Sequence, residues 1–147
     1  MVGDGEMLDY CRNLVTKLNI SEAVKFLGRK TPEQISALHK EVRCFIQHSM
    51  KSSKGDSEGL PVSLIEALSS GLPVVSTRHA GIVEAVQHGE NGFLVEEGDI
   101  ENMALYMNRI AGDPVLVHNM SIKAREMILK SYSLENQVEK LRKALGA

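Results

Sequence analysis

Residues 56–77, "DSEGLPVSLIEALSSGLPVVST", decide the fold. A polar loop gives way to Gly59-Leu60-Pro61, then to an apolar helix carrying Leu64, Ile65 and Leu68, and Gly71 closes that helix before the β-branched strand "PVVST". Proline suits the first helical position, where its missing N–H would be unpartnered in any case. Glycine suits the left-handed residue that ends a helix. A helix followed at once by a buried strand is the second half of a β-α-β crossover, and such crossovers join parallel neighbours in one sheet.

The same alternation extends in both directions. Upstream, "VRCFIQHS" (residues 42–49) is predicted as a strand that empties into the polar loop Ser49 to Glu58. Before it, Thr31-Pro32-Glu33-Gln34 spells a capping box that opens a helix running to about His39, and "AVKFLG" is a short strand ended by Gly28. Leu8, Cys11, Leu14, Val15 and Leu18 recur at helical spacing, with Asp4 as the candidate N-cap. Gly3-Asp4-Gly5 reads as the turn that closes a strand of which only Met1 and Val2 remain, against a usual strand length of about 5 residues. The expectation is that an upstream strand is missing and that residues 1–147 are one domain truncated at its N-terminus.

Downstream, Ile82 to Gln87 is a short helix and "GFLVE" (residues 92–96) a fifth strand. From Asp99 the pattern is purely helical, with Asp99, Asp113 and Ser133 as N-caps and Pro114 at a first helical position. The prediction is an α/β, doubly wound parallel sheet with helices on both faces and three additional C-terminal helices.

A chain of 147 residues with 43% hydrophobic content can bury about 70% of its unfolded surface as one core. Its net charge of −2 supplies no basic field for nucleic acid or an anionic membrane, so any phosphate must be held locally. No apolar run approaches the roughly 20 residues of a membrane span. Cys11 and Cys44 sit inside apolar patterns as free thiols, which with the lack of a leader-like N-terminus points to a cytoplasmic redox setting.

In a sheet of this kind ligands bind outside the carboxyl ends of the strands. The loop at Gly3-Asp4-Gly5 lets backbone approach a ligand, yet Leu8 stands where a dinucleotide fingerprint has its third glycine, which disfavours nicotinamide or flavin. The helix after Pro61 offers the N–H groups of Val62 and Ser63 at the positive end of its dipole, a seat for phosphate that Gly59 leaves open. Glu58 would repel that phosphate and is better suited to neutral hydroxyls beside it, and Glu66 lies near the azimuth of Val62 and Ser63, placed to grip a vicinal diol. From charge alone the simpler account also stands: Glu58 complements the dipole and Glu66 is a solvated helix residue.

The stretch "EGLPVSLIEALSSGLPVVSTRHAGIVEAV" resembles the Glu-x7-Glu region of retaining, nucleotide-sugar-dependent glycosyltransferases of group 1 (family 4), which have the two-domain GT-B fold. "VGDGE", "VKFLGRK", "GENGFLVEEGD" and the helical tail follow that family's order, so the likeness covers nearly the whole chain. The resemblance implies that Glu58 contacts the donor sugar and supports the reacting centre. It implies a diphosphate held by Val62 and Ser63 with Gly59, Leu60 and Gly5 nearby, ribose hydroxyls on Glu66, and the base against Leu27, Gly28 and Arg29. It further implies transfer of a hexose or N-acetylhexosamine from a nucleotide diphosphate sugar, with UDP as the guessed nucleotide, in bacterial surface-polysaccharide assembly. The full-length protein would work at the cytoplasmic face of the membrane, on a glycan or lipid-linked acceptor bound by a domain absent from this chain. Without that domain and the upstream Arg and Lys of the family, the 147 residues alone are expected to be inactive.

Pro61 stands where many members have glycine, and Val83 where many have proline. Asp56-Ser57-Glu58 superficially matches a metal-holding Asp-x-Asp, but the GT-B resemblance implies no metal and no other cofactor, and the histidines show no ligand spacing. Two rivals stay open. A nucleotide-sugar epimerase of the same plan would need further acid and base groups, and a non-catalytic receiver-like module would need an Asp after the third strand, where His48-Ser49 stands.

Overall fold

The computed structural model describes residues 1–51 and 59–146. The chain divides into two compact units, Met1–Leu38 and His39–Ala147.

In the first unit, α1 (Leu8–Lys17) has Met7 at its N-cap with no side-chain cap. Asp4 does not cap it, contrary to the sequence reading: its carboxylate is held by Arg29 Nε at 2.8 Å, and Gly5 O accepts the Leu8 N–H instead. A charge-assisted pair with a guanidinium outcompetes a capping bond for a carboxylate that can reach both. The capping box does form, with Thr31 N–H on Gln34 Oε1 (3.0 Å) and Gln34 N–H on Thr31 Oγ1 (3.4 Å), and it opens α2 (Pro32–His39). The two strands expected here are not assigned as strands. Leu27 N–H donates to Met1 O, Gly3 N–H to Gly28 O, and the terminal ammonium to Lys25 O. Three bonds to a three-residue segment make a contact, too short for a ladder.

The second unit is built on a parallel sheet in the order β1 (Phe45–Gln47), β2 (Val74–Thr77), β3 (Gly92–Val95). α3 (Val62–Ser69) connects β1 to β2, and α4 (Ile82–Ala85) lies between β2 and β3. α3 ends as the sequence predicts: Gly71 has φ +79°, and its N–H reaches Leu68 O while Leu72 N–H reaches Ala67 O. Those bonds satisfy the carbonyls that the last turn would otherwise leave open.

Alternation along the strands feeds two cores. Val74 and Leu94 face Leu64, Leu68, Ile82, Ala85 and Val86 on one side. Val75, Phe93 and Val95 face Met103 and Ile110 on the other. Those last two residues come from α5 (Ile100–Gly112), and α6 (Pro114–Ser131) serves both cores, giving Met120 to one and Ala124 with Ile128 to the other. All eight positions of β2 and β3 are buried, so each strand reads as an unbroken apolar or small-residue run. α7 (Leu134–Leu145) ends the chain, and Asp99, Asp113 and Ser133 accept the N–H groups of Asn102, Leu116 and Asn136 as caps.

Two features lock β3. Gly92 sits so close to β2 that an added Cβ would strike the backbone oxygen of Val74 and come within 3.0 Å of Val74 N and Val86 Cγ1. On the edge away from β2, Gly89 N–H donates to Gly92 O (2.8 Å) and Leu94 N–H to His88 Nδ1 (3.1 Å). The His88 ring stands edge-on to Phe93 and Tyr106, which stack at 4.3 Å.

Among the described residues no helix is long and apolar enough to cross a membrane. Gly92→Ala should destabilise the fold by about 3 kcal/mol, at the upper end of overpacking costs because the obstacle is backbone, as read by chemical denaturation. The Asp99 carboxylate is held below its ordinary 3.8 by the Asn102 side chain and then its N–H. Its stabilising contribution is therefore complete above pH 3.8 and is lost as pH falls through the lower folded value. The stability gap between wild type and Asp99→Ala should narrow over that acid range.

Candidate functional site

Parallel strands deliver their carboxyl ends to one edge, and there the polar residues of the second unit gather. Gln47 ends β1, Thr77 ends β2, and the start of α3 lies beside them. Ser76 Oγ donates to Gln47 O (2.6 Å), Ser49 N–H donates to Thr77 Oγ1 (3.1 Å), and Thr77 Oγ1 donates back to Ser49 O. These bonds fasten the loop after β1 to the end of β2.

At the start of α3, Pro61 has φ −62° and ψ 129°, the extended geometry of an N-cap, and its carbonyl accepts Leu64 N–H (3.1 Å) and Ile65 N–H (3.4 Å). The N–H groups of Val62 and Ser63 have no partner among the described residues. Val62 is 71% exposed and Ser63 is exposed as well, so packed protein among the described residues does not cover the start of the helix. Ser63 Oγ donates to Gln47 Oε1 (3.0 Å), which ties the helix start to the end of β1. Glu66 is exposed one turn further on, on the same side as Val62 and Ser63. Its carbonyl is bonded by Ser70 N–H and Oγ.

Gly59 is exposed, and its carbonyl accepts Gly81 N–H (2.9 Å). The Leu60 side chain packs against the core formed by Leu64 and Val74, so its main chain is all it can offer a ligand. The structure thus brings Gly59, Leu60, Val62, Ser63 and Glu66 together at one edge. Glu58 lies outside the described residues. Gly5, Leu27, Gly28 and Arg29 belong to the first unit, where Gly28 has φ +63° and Leu27 N–H is taken by Met1 O. Arg29 is bound by Asp4 at 2.7 Å, and that bond raises its already high pKa.

Sequence reasoning did not identify Glu97. Its Oε1 lies 2.6 Å from His79 Nδ1, and its Oε2 accepts Lys51 N–H at 3.1 Å. Bonding to His79 and then to Lys51 N–H holds the carboxyl below its usual 4.5. The imidazole is 5% exposed. The signal lay in the register: Thr77 pairs with Val95, so the residues two further along each chain, His79 and Glu97, arrive side by side. His48 Nε2 accepts Gly98 N–H (3.0 Å), a second tie between the loops after β1 and β3. Among the described residues no group of three or more His, Cys, Asp or Glu side chains is placed to hold a metal ion.

The family described as "Glycosyl transferases group 1" matches residues 1–127. The amylovoran biosynthesis glycosyltransferase AmsK of Erwinia amylovora is 32% identical over 128 residues, which are 87% of this chain and 31% of that protein. The putative colanic acid biosynthesis glycosyltransferase WcaL of Salmonella typhimurium is 30% identical over 134 residues, 90% of this chain and 33% of that protein. The chain spans about a third of the length of the curated relatives it matches. Among solved structures, Anabaena HepE in complex with UDP superposes with a TM-score of 0.77 at 26% identity, covering 99% of this chain and 39% of that one. The matched family, the relatives' names and the parallel α/β fold agree: this chain belongs to the group 1 glycosyl transferases.

Proposed function

We propose that this chain takes the donor in a retaining glycosyl transfer, binding a nucleotide diphosphate sugar at the carboxyl edge of its sheet. The observation that carries the reading is the exposed start of α3, where the N–H groups of Val62 and Ser63 have no partner among the described residues and Glu66 stands one turn away. Free N–H groups at the positive end of a helix dipole suit a diphosphate, and no side-chain cation is needed for that much. Glu66 would accept hydrogen bonds from the ribose hydroxyls, and Glu58 from the hydroxyls of the sugar. Gly59 and Leu60 would add main-chain contacts beside that seat.

Departure of the nucleotide diphosphate is the demanding step, because negative charge grows on the leaving oxygen as the glycosidic bond breaks. Fixed N–H groups aimed at that charge stabilise it without having to reorganise. No metal or other cofactor is invoked. The solved HepE structure contains UDP, which supports UDP as the nucleotide here. The relatives' names support assembly of a bacterial surface polysaccharide. The acceptor, a glycan or lipid-linked glycan, would be held by the rest of a longer protein working at the cytoplasmic face of the membrane.

A thermal-shift panel of UDP, GDP and ADP tests the reading. UDP at about 100 times its Kd should add roughly 2.7 kcal/mol to stability, and flat midpoints with all three nucleotides at millimolar concentration would sink it. By calorimetry, Glu66→Ala should weaken UDP by about tenfold or more, the loss of a charge-assisted bond. Glu58→Ala should leave UDP binding intact and remove the extra affinity of a UDP-sugar over UDP.

A further inference from the structure

The His79–Glu97 pair at the carboxyl edge, a buried imidazole against an exposed carboxylate, is connected to the start of α3 by a short series of links. Glu97 accepts from His79 on one carboxylate oxygen and from the Lys51 main chain on the other. An ionised carboxylate can only accept, so His79 carries its proton on Nδ1. The His79 carbonyl accepts Ile82 N–H (3.0 Å), opening α4. Ala80 follows with φ +42°, a left-handed conformation that a non-glycine residue keeps only where its surroundings enforce it. Next comes Gly81, whose N–H is on Gly59 O and whose Cα is so close to the neighbouring loop that a Cβ would lie 3.0 Å from Leu60 Cβ and 3.3 Å from Gly59 O. Gly59 and Leu60 run directly into Pro61 and the open N–H groups of Val62 and Ser63.

We propose that Glu97 and His79 are positioning residues for donor binding: together they fix the Ala80-Gly81 turn, which through Gly59 and Leu60 sets where the α3 amides point. This rests on the reading of that helix start as the diphosphate seat. Neither side chain need touch the donor. A misplacement of about 1 Å at the binding groups is enough to forfeit most of what orientation supplies. With the Lys51 main chain the pair joins the loops after β1, β2 and β3, since Lys51 follows β1, His79 follows β2 and Glu97 follows β3.

The variants separate this role from a general loss of stability. Glu97→Ala removes both acceptors. Glu97→Gln can retain both links, its amide oxygen accepting Lys51 N–H while its NH2 donates to Nδ1 of the other His79 tautomer. His79→Phe keeps the buried bulk and cuts the strut from the opposite side. Amide hydrogen exchange and UDP calorimetry would be run on the 147-residue chain in all forms.

In Glu97→Ala and His79→Phe, exchange at the Gly81 amide should accelerate and UDP should bind about tenfold more weakly, while the amides of β2 stay protected. In Glu97→Gln both readings should return to within about twofold of wild type, the rescue expected of a hydrogen-bonded strut. Unchanged Gly81 exchange in both severing variants would overturn the proposal, as would wild-type UDP affinity in a variant whose Gly81 amide has been freed. Wild-type protein that bound no nucleotide diphosphate would instead sink the donor reading, and this proposal with it.

Discussion

The close approach of β3 to β2 at Gly92 is the constraint on which the second unit depends. With no Cβ there, the Val74 main chain can lie against it, and that contact fixes Val74 opposite Gly92 and Thr77 opposite Val95. A shift of one residue would turn Phe93 and Val95 out of one core and Leu94 out of the other, because side chains alternate along a strand. The same register carries past the strand ends and sets His79 beside Glu97. Packing in the middle of the sheet thereby determines which polar groups meet at its edge.

α3 shows how one short helix serves packing and chemistry together. Leu64, Ala67 and Leu68 are fully buried, while Val62, Ser63 and Glu66 are exposed. Burying those apolar side chains, worth about 1.5–3 kcal/mol for each leucine, anchors the helix although the Val62 and Ser63 N–H groups have no partner among the described residues. The apolar face holds the helix, and its polar end stays exposed. Pro61 contributes by fixing the extended geometry of the cap while donating no N–H of its own.

Much of this was legible in the sequence, and the exceptions have physical causes. The period and punctuation of residues 56–77 gave the helix, its glycine stop and the following strand, and the caps at Asp99, Asp113 and Ser133 form as their spacing suggests. Those features are local, decided by residues within one turn of each other. Asp4 was misread because its partner Arg29 lies 25 residues away, and no local pattern announces a distant ion pair. The strands expected at Met1-Val2 and residues 23–28 reduce to a few hydrogen bonds, since apolar composition predicts burial but not the length of a ladder. The Glu97 to His79 bond was invisible for a related reason: it needs the alignment of two strands, and sequence period fixes a strand's faces without fixing its neighbour's offset.

The cover over the outer side of β3 has a consequence for association. A bare strand at a sheet margin is a template on which another chain can add itself, whether a partner peptide or a misfolded copy. Here the outward carbonyl of Gly92 is already taken by Gly89 and the outward amide of Leu94 by His88, whose ring is wedged against Phe93 and Tyr106. Main-chain zippering along that margin would first have to displace the imidazole that stands edge-on to both aromatic rings. Recognition on that flank must therefore be by side chains, and addition of another strand there is opposed by the Gly89 main chain and the His88 ring together.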